Sequence, residues 1–338
     1  MTMGNPRISW TKKGFRRTVW TVCLGMLAGC APTGFLVTPV RVKRELTEST
    51  VYRDSRLARD KIALIEVSGV LSNARRSGLF GDGENPVSLF VEQLDRARRD
   101  KAVKAVILRI NSPGGTVVAS ELMYDELRRF RKKTGKPVVA VMMDVGASGA
   151  YYLACGCDEI VAQPSTVTGS IGVIMHTLDI SGTMNMIGVK SEAIASGPRK
   201  DIGSPFRPMT DEEREIFQTL INEMYERFVK VVVEGRPKLS ESEVRRLADG
   251  RIYSAGQALK LGLIDRIASL REVIGALKKR LDLSRVRVVA YHRPLDYTPN
   301  YYARAPGPKP EINLMKLDLP DWSALTPQFL YLWMPGTP

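Results

Sequence analysis

Apolar residues fall in two rhythms along this chain of 338 residues. Short, mostly apolar runs at 62–67, 106–110, 138–143, 160–162 and 171–175 have the length and Val/Ile content of strands buried on both faces. Between them, apolar positions recur every three or four residues, the period of an amphipathic helix. One such helix begins at Pro86 and carries Leu89, Phe90 and Leu94. A second runs through Leu122, Leu127 and Phe130 and closes at Gly135 and Pro137. A short helix with Tyr151, Tyr152 and Leu153 follows Ser148. Strands alternating with helices predict an α/β fold around a largely parallel sheet.

Beyond Thr210 the helical period takes over. Asp211 opens a long helix with Ile216, Phe217, Leu220, Ile221, Met224, Phe228 and Val232 on one stripe, suited to the core or to a neighbouring subunit. Shorter helices are expected at 239–247 and 256–260, a strand at 263–265, and a last helix through Leu277 towards Leu281. The chain thus divides into a leader or anchor over 1–40, a charged linker over 41–60, one α/β domain over 61–292 with a helical C-terminal part, and a Pro-rich tail over 293–338. The tail ends in Phe329-Leu330-Tyr331-Leu332-Trp333, and the pattern gives it no role.

Charge changes the picture at the N-terminus. The net charge is +14, which suggests nucleic-acid binding until it is located. Residues 1–44 hold eight Lys and Arg and no acid, leaving +6 for the rest, with no basic block interleaved with aromatics. A solvated basic surface is the reading that fits. After Arg16-Arg17, residues 18–40 carry no charge, and their most apolar part, 19–28, has the length of a signal-peptide core. Leu27-Ala28-Gly29-Cys30 resembles a bacterial lipobox, in which Cys30 would be lipidated. The competing reading is a single anchor helix, against which Gly25, Gly29, Pro32 and Gly34 count. Both put the body of the protein outside the cytoplasmic membrane, in the cell envelope. Cys155 and Cys157 stand too close for a comfortable disulfide, and no histidine or second cysteine pair completes a zinc set. They read as small packed residues, and no metal site is expected.

The candidate chemistry lies in two glycine turns. Gly146-Ala147-Ser148-Gly149-Ala150 joins a strand to a helix and sets the Ser148 hydroxyl at a helix N-terminus, where free N–H groups favour an oxyanion. Alone, this reads first as a tight turn with a serine N-cap. The second turn, Asn111-Ser112-Pro113-Gly114-Gly115, ends the preceding strand. Backbone N–H groups of Gly114 and Gly149 suit an oxyanion hole, where losing one donor costs roughly 3–4 kcal/mol. The general base is harder to find. His176 ends an apolar strand and reads as a core or edge residue, and His292 reads as surface. A triad using His292 lacks the Gly-rich oxyanion loop of α/β-hydrolases. A lysine desolvated from a pKa of about 10.4 towards neutrality would serve, but composition does not single one out.

Six ordered segments do: 62–71 (IALIEVSGVL), 111–115 (NSPGG), 146–153 (GASGAYYL), 168–173 (TGSIGV), 196–205 (SGPRKDIGSP) and 252–258 (IYSAGQA). From Ile62 to Ile267 the chain resembles the bacterial signal peptide peptidase A family in its short, single-unit form. The resemblance implies a fold similar to the Clp protease and crotonase architecture, a spiral of ββα units. It implies Ser148 as nucleophile, Lys200 as base, Ser170 as the hydroxyl that orients the lysine amine, and Gly114 and Gly149 as oxyanion donors. It further implies a homo-oligomer with a shared active site, leaving open whether Lys200 acts in its own chain or across an interface. Cys155 and Cys157 depart from the family's usual small residues, and the tail after about Arg293 is not covered.

The resulting expectation is a membrane-associated serine endopeptidase that hydrolyses hydrophobic peptides such as cleaved signal peptides, without metal or organic cofactor. Two alternatives compete. A crotonase-like acyl-thioester enzyme would need coenzyme A and leaves Lys200 idle. A membrane-tethered scaffold with a vestigial site would leave both Ser148 and Lys200 idle.

Overall fold

The structure, a computed structural model, describes residues 45–74, 77–78, 81–82, 84–293 and 328–333. The predicted leader with Cys30, the start of the linker and most of the tail lie outside the described residues. Among the described residues, no helix is long and apolar enough to cross a membrane.

A nine-stranded sheet runs in the order β1 (Thr47–Arg53), β13 (Val286–His292), β2 (Asp60–Ser68), β5 (Val103–Ser112), β7 (Val138–Ala147), β8 (Glu159–Ala162) and β12 (Arg266–Ile267). Beside the end of β7 lies β9 (Val167–Gly169), which also pairs with β11 (Ile252–Ser254). All neighbours are parallel except β1 with β13 and β11 with β9. The pairs β3 (Ser77–Gly78) with β4 (Gly81–Asp82), and β6 (Gly114–Thr116) with β10 (Ile174–Met175) and β14 (Phe329–Leu332), form two smaller sheets. The α/β class with a parallel-rich sheet is therefore as expected.

The apolar runs have a direct cause, since both faces of the sheet are covered. On one face, Ala63, Ile65 and Val67 pack with α1 (Pro86–Arg99), α2 (Val117–Thr134), α3 (Gly149–Ala154) and the far end of α5 (Asp211–Gly235). On the other, Ile62 and Leu64 meet Leu270, Val273, Ile274 and Leu277 of α8 (Leu270–Arg280). Asn85 caps α1 and Gly135, at φ 65°, closes α2, where a residue with a Cβ would be strained. The short helices α4 (Ser181–Met186), α6 (Glu241–Leu247) and α7 (Ala255–Lys260) complete the chain.

Four boundaries differ from the pattern reading. Residues 47–53, expected within a linker, form edge strand β1; an edge strand has a wet side, so its half-buried, mostly polar positions carry no apolar run. The strand expected at 171–175 is interrupted, because Ser170 turns with φ 50° between β9 and the two-residue β10. The strand expected at 263–265 falls at 266–267, with Leu263 and Ile264 buried in the preceding turn. Finally, residues 329–332 of the tail form a strand within the fold.

Candidate active site

Parallel pairing brings the carboxyl ends of β5, β7 and β9 to one edge of the sheet. Ser112 pairs with Gly146, and Ala147 with Gly169, so Ser148 and Ser170 leave adjacent strands side by side. Ligands of parallel sheets bind outside such carboxyl ends. Ser148 N–H donates to the Gly169 carbonyl at 2.7 Å, and Ser170 N–H to that of Arg251 at 2.7 Å. Thr168 Oγ1 donates to the Gly146 carbonyl at 2.7 Å, locking the two strand ends together.

Both serines hold backbones that favour glycine: Ser148 at φ 54°, ψ −120°, and Ser170 at φ 50°. Such conformations cost of order 1–3 kcal/mol each and persist only where the surroundings impose them. The strain at Ser148 has a result. It caps α3 through its carbonyl, which accepts from Tyr152 N–H at 2.9 Å, while its hydroxyl makes no cap bond and is left for other work. Ser148 is almost fully buried, as is Ser170.

The glycines around them are there because nothing larger fits. A Cβ on Gly149 would lie 2.2 Å from Ser120 Oγ. On Gly114, at φ 100°, it would lie 2.0 Å from the Tyr331 carbonyl oxygen and 2.7 Å from Gly149 N. The two glycines thus form one cradle, with a backbone carbonyl lying in it. Gly149 N–H, at the start of α3, has no intrahelical partner. Gly114 N–H is directed at Ser112 Oγ, 3.1 Å away, and Ser112 Oγ donates to Gly69 O at 2.6 Å. On β6, Gly114 O and Thr116 N bond to Leu71 at 2.8 and 2.9 Å, so Gly115 presents its N–H and C=O to the opposite edge. There it faces Tyr331 of β14, and Trp333 N–H continues the same edge by donating to Pro113 O at 2.8 Å. The amide that the Pro-Gly-Gly turn aims into the cleft is therefore that of Gly115, which the sequence reading passed over.

Beside the cleft lies a pocket of aromatic side chains. Tyr152 of α3 and Phe228 of α5 meet at 5.1 Å between ring centroids, and Tyr331 packs against both, at 5.4 and 4.7 Å. Burial raises the phenol pKa of Tyr152, then of Tyr331, well above the ordinary value.

Lys200 stands apart. It is exposed, in an arm, residues 176–209, that contains no buried residue, and among the described residues its ammonium has no hydrogen-bond or ion-pair partner. Lys200 is exposed whereas Ser148 is buried, and no hydrogen bond joins the two among the described residues. What the chain does provide is an anchor next to Lys200. Arg207 reaches both oxygens of Asp201 at 2.8 Å and those of Glu213 at 2.6 and 2.9 Å, tying the arm to the start of α5. Apolar side chains crowd the arm's surface: Leu178, Met186, Ile187, Val189, Phe206 and Ile194, the last fully exposed.

The remaining candidates are settled by burial. Of the core and edge readings for His176 the edge one fits: it is exposed and follows β10, the outer strand of its three-stranded sheet. His292 Nε2 lies 2.6 Å from Ser49 Oγ on β1, remote in the sheet order from β7 and β9. Cys155 and Cys157 are buried free thiols; burial pushes Cys155 up to about 12 and Cys157 higher still, so neither serves as a nucleophile.

Residues 130–284 match Peptidase family S49. A protein named signal peptide peptidase SppA from Enterococcus faecium is 37% identical over 247 residues, covering 73% of this chain and 71% of the relative. Protease 4 of Haemophilus influenzae is 34% identical over 215 residues, 64% of this chain and 34% of the longer relative. The chloroplastic serine protease SPPA of Arabidopsis thaliana is 32% identical over 246 residues, 72% of this chain and 36% of that protein.

Proposed function

This chain belongs to peptidase family S49 and is a serine protease of the signal peptide peptidase type; on that premise we propose that it cleaves hydrophobic peptides, such as released signal peptides, by a Ser148–Lys200 dyad. Ser148 Oγ attacks the peptide carbonyl while Lys200, in its neutral form, takes the hydroxyl proton and then passes it to the leaving amine. The oxyanion lies against the cradle of Gly114 and Gly149, accepting from Gly149 N–H and the amide of the Pro-Gly-Gly turn. Water then enters and gives a proton to Lys200 as its oxygen bonds the acyl carbon; Lys200 returns that proton to Ser148 Oγ as the carbon–Oγ bond breaks and the acid leaves. Ser170, adjacent to Ser148 across β7 and β9, orients the lysine amine.

The observation that carries this reading is the strained Ser148 turn, which leaves a hydroxyl unbonded at the mouth of a glycine cradle holding a backbone carbonyl. The exposure of Lys200 supports assembly in trans: a lysine base needs desolvation, and the apolar arm is a surface that a second copy would bury. We place the catalytic domain outside the cytoplasmic membrane, held there through lipidated Cys30 or an anchor helix. Intact-mass analysis after a fluorophosphonate probe tests the dyad. The wild type should gain one adduct, Ser148→Ala none, and Lys200→Ala should label at a small fraction of the rate. Equal labelling of Ser148→Ala would remove Ser148 from the role.

A further inference from the structure

Gly114 is the joint that sets the direction of the oxyanion donor. It has no Cβ and holds φ at 100°, so nothing in the residue itself selects that conformation. Its C=O and the N–H of Gly115 belong to one trans peptide and point in opposite directions. The Gly115 N–H therefore faces the cleft only while Gly114 O stays on Leu71 N–H, 2.8 Å away on the other side. The peptide before it, joining Pro113 to Gly114, has to be held too, because rotation about φ of Gly114 would carry that carbonyl off Leu71.

Ser112, the last residue of β5, supplies that hold from a fully buried position. Its Oγ accepts from Gly114 N–H at 3.1 Å and donates to Gly69 O at 2.6 Å. The two bonds share one oxygen, so each polarises the other. Gly69, at φ 67°, is itself fixed by its N–H bond to Asn111 O at 3.0 Å. The far end of the same peptide, Pro113 O, accepts from Trp333 N–H at 2.8 Å. A serine needed only to fill the core has no reason to join these two backbone groups. We infer, on the peptidase reading above, that Ser112 is a positioning residue: by pinning Gly114 N–H to Gly69, its hydroxyl keeps the Gly115 amide aimed at the oxyanion. It acts through the turn and touches neither substrate nor reacting atoms. Without the hydroxyl, Gly114 N–H and Gly69 O are buried without partners. The turn then relaxes to satisfy them, and the donor tilts away from where the charge develops.

The test separates aim from binding. Full-chain wild type, Ser112→Ala and Ser112→Cys are compared for fluorophosphonate labelling, followed by intact mass, and for turnover of a fluorogenic Leu-Leu-Phe peptide. A misaimed donor should lower kcat and the labelling rate of Ser112→Ala roughly ten- to a hundredfold, less than deleting a donor outright, with KM within about twofold. Ser112→Cys, whose thiol is a weak donor and acceptor in the same place, should recover part of the loss. The same peptide carrying a fluorophore is titrated by anisotropy into Ser148→Ala with and without Ser112→Ala, and the two Kd values should agree within about twofold. A cleft that has merely loosened would weaken this binding and raise KM, and that result overturns the proposal. So does a wild-type kcat in Ser112→Ala. If neither Ser112 variant melts as a folded protein, the hydroxyl is structural and the proposal fails. A wild type that neither labels nor turns over peptide removes the peptidase reading and this role with it, an outcome read from the wild type alone.

Discussion

At the scale of single residues, the site is organised by what cannot be replaced. Ser148 occupies a backbone region that glycine adopts freely, and the strain is held by the pairing of Ala147 with Gly169 and by its own N–H bond to Gly169. Ser148→Ala keeps the strain and loses the hydroxyl, whereas Ser148→Gly loses both. Both should lack turnover, and Ser148→Gly should unfold with about 1 kcal/mol more stability than wild type, read from denaturant melts. Gly114→Ala should lose stability in denaturant melts as well as turnover, since its Cβ, at a φ of 100°, would press on the Tyr331 carbonyl and on Gly149 N. These positions were legible because glycine turns announce themselves in sequence. Lys200 was not: it is one exposed lysine among many, and only family resemblance singled it out. Gly115 and Tyr331 were hidden for a different reason. Which amide of a Pro-Gly-Gly turn faces the cleft depends on Leu71 pairing with the other edge, and that contact is long-range.

At the scale of elements, strands buried on both faces were read well because their runs are almost wholly apolar, and β1 was missed because its outer edge is wet. The helix α5 shows a subtler limit. Its stripe is continuous in sequence, yet Phe228 and Val232 are buried while Ile216 and Leu220 remain partly exposed, so one period serves two purposes. Its end is fixed by Arg236, which donates to both oxygens of Asp265 at 2.8 and 2.9 Å and to Gly262 O at 2.8 Å. Burial would raise the Asp265 carboxyl, but the hydrogen bonds from Arg236 and from Ile160 N–H outweigh it and hold it below the usual range. Asp265→Ala should cost roughly 3 kcal/mol, the lower end for a buried pair, because the carboxylate keeps about a third of its surface in water. The start of α5 carries the Arg207 knot. Hydrogen bonds from Arg207 lower Asp201 and hold Glu213 at about 2, against ordinary values of 3.8 and 4.5. Depressed carboxylates contribute fully above their unfolded values, so the knot should be intact at neutral pH and be lost as pH falls from about 4.5 to about 2. Backbone amides of the Lys200 segment, followed by hydrogen exchange corrected for intrinsic rates, should lose protection in that window. Arg207→Ala should lose the same protection at neutral pH and lower kcat more than it raises KM.

At the scale of the whole molecule, the proposed dyad is divided in a single chain. Ser148 is buried at the carboxyl ends of the sheet, while Lys200 stands on an arm that exposes more apolar surface than a free chain tolerates easily. Nothing in the hydrophobic pattern distinguished this arm, because pattern reports burial without saying in which copy. Two requirements meet there: the lysine needs a dry surrounding to act as a base, and the apolar arm needs a cover. A neighbouring subunit supplies both if the arm of one protomer lies over the cleft of the next. Mixing distinguishes this from a site completed within one chain. Ser148→Ala and Lys200→Ala proteins are each inactive by expectation, so any activity of co-assembled copies comes from sites that draw Ser148 from one variant and Lys200 from the other. With random assembly across interfaces, about one site in four is restored, and turnover should reach roughly a quarter of wild type. If each chain completes its own site, every mixture stays inactive at any ratio. The restored activity should also fall on dilution, together with the oligomer seen by light scattering, because the base loses its dry surrounding when the neighbour leaves.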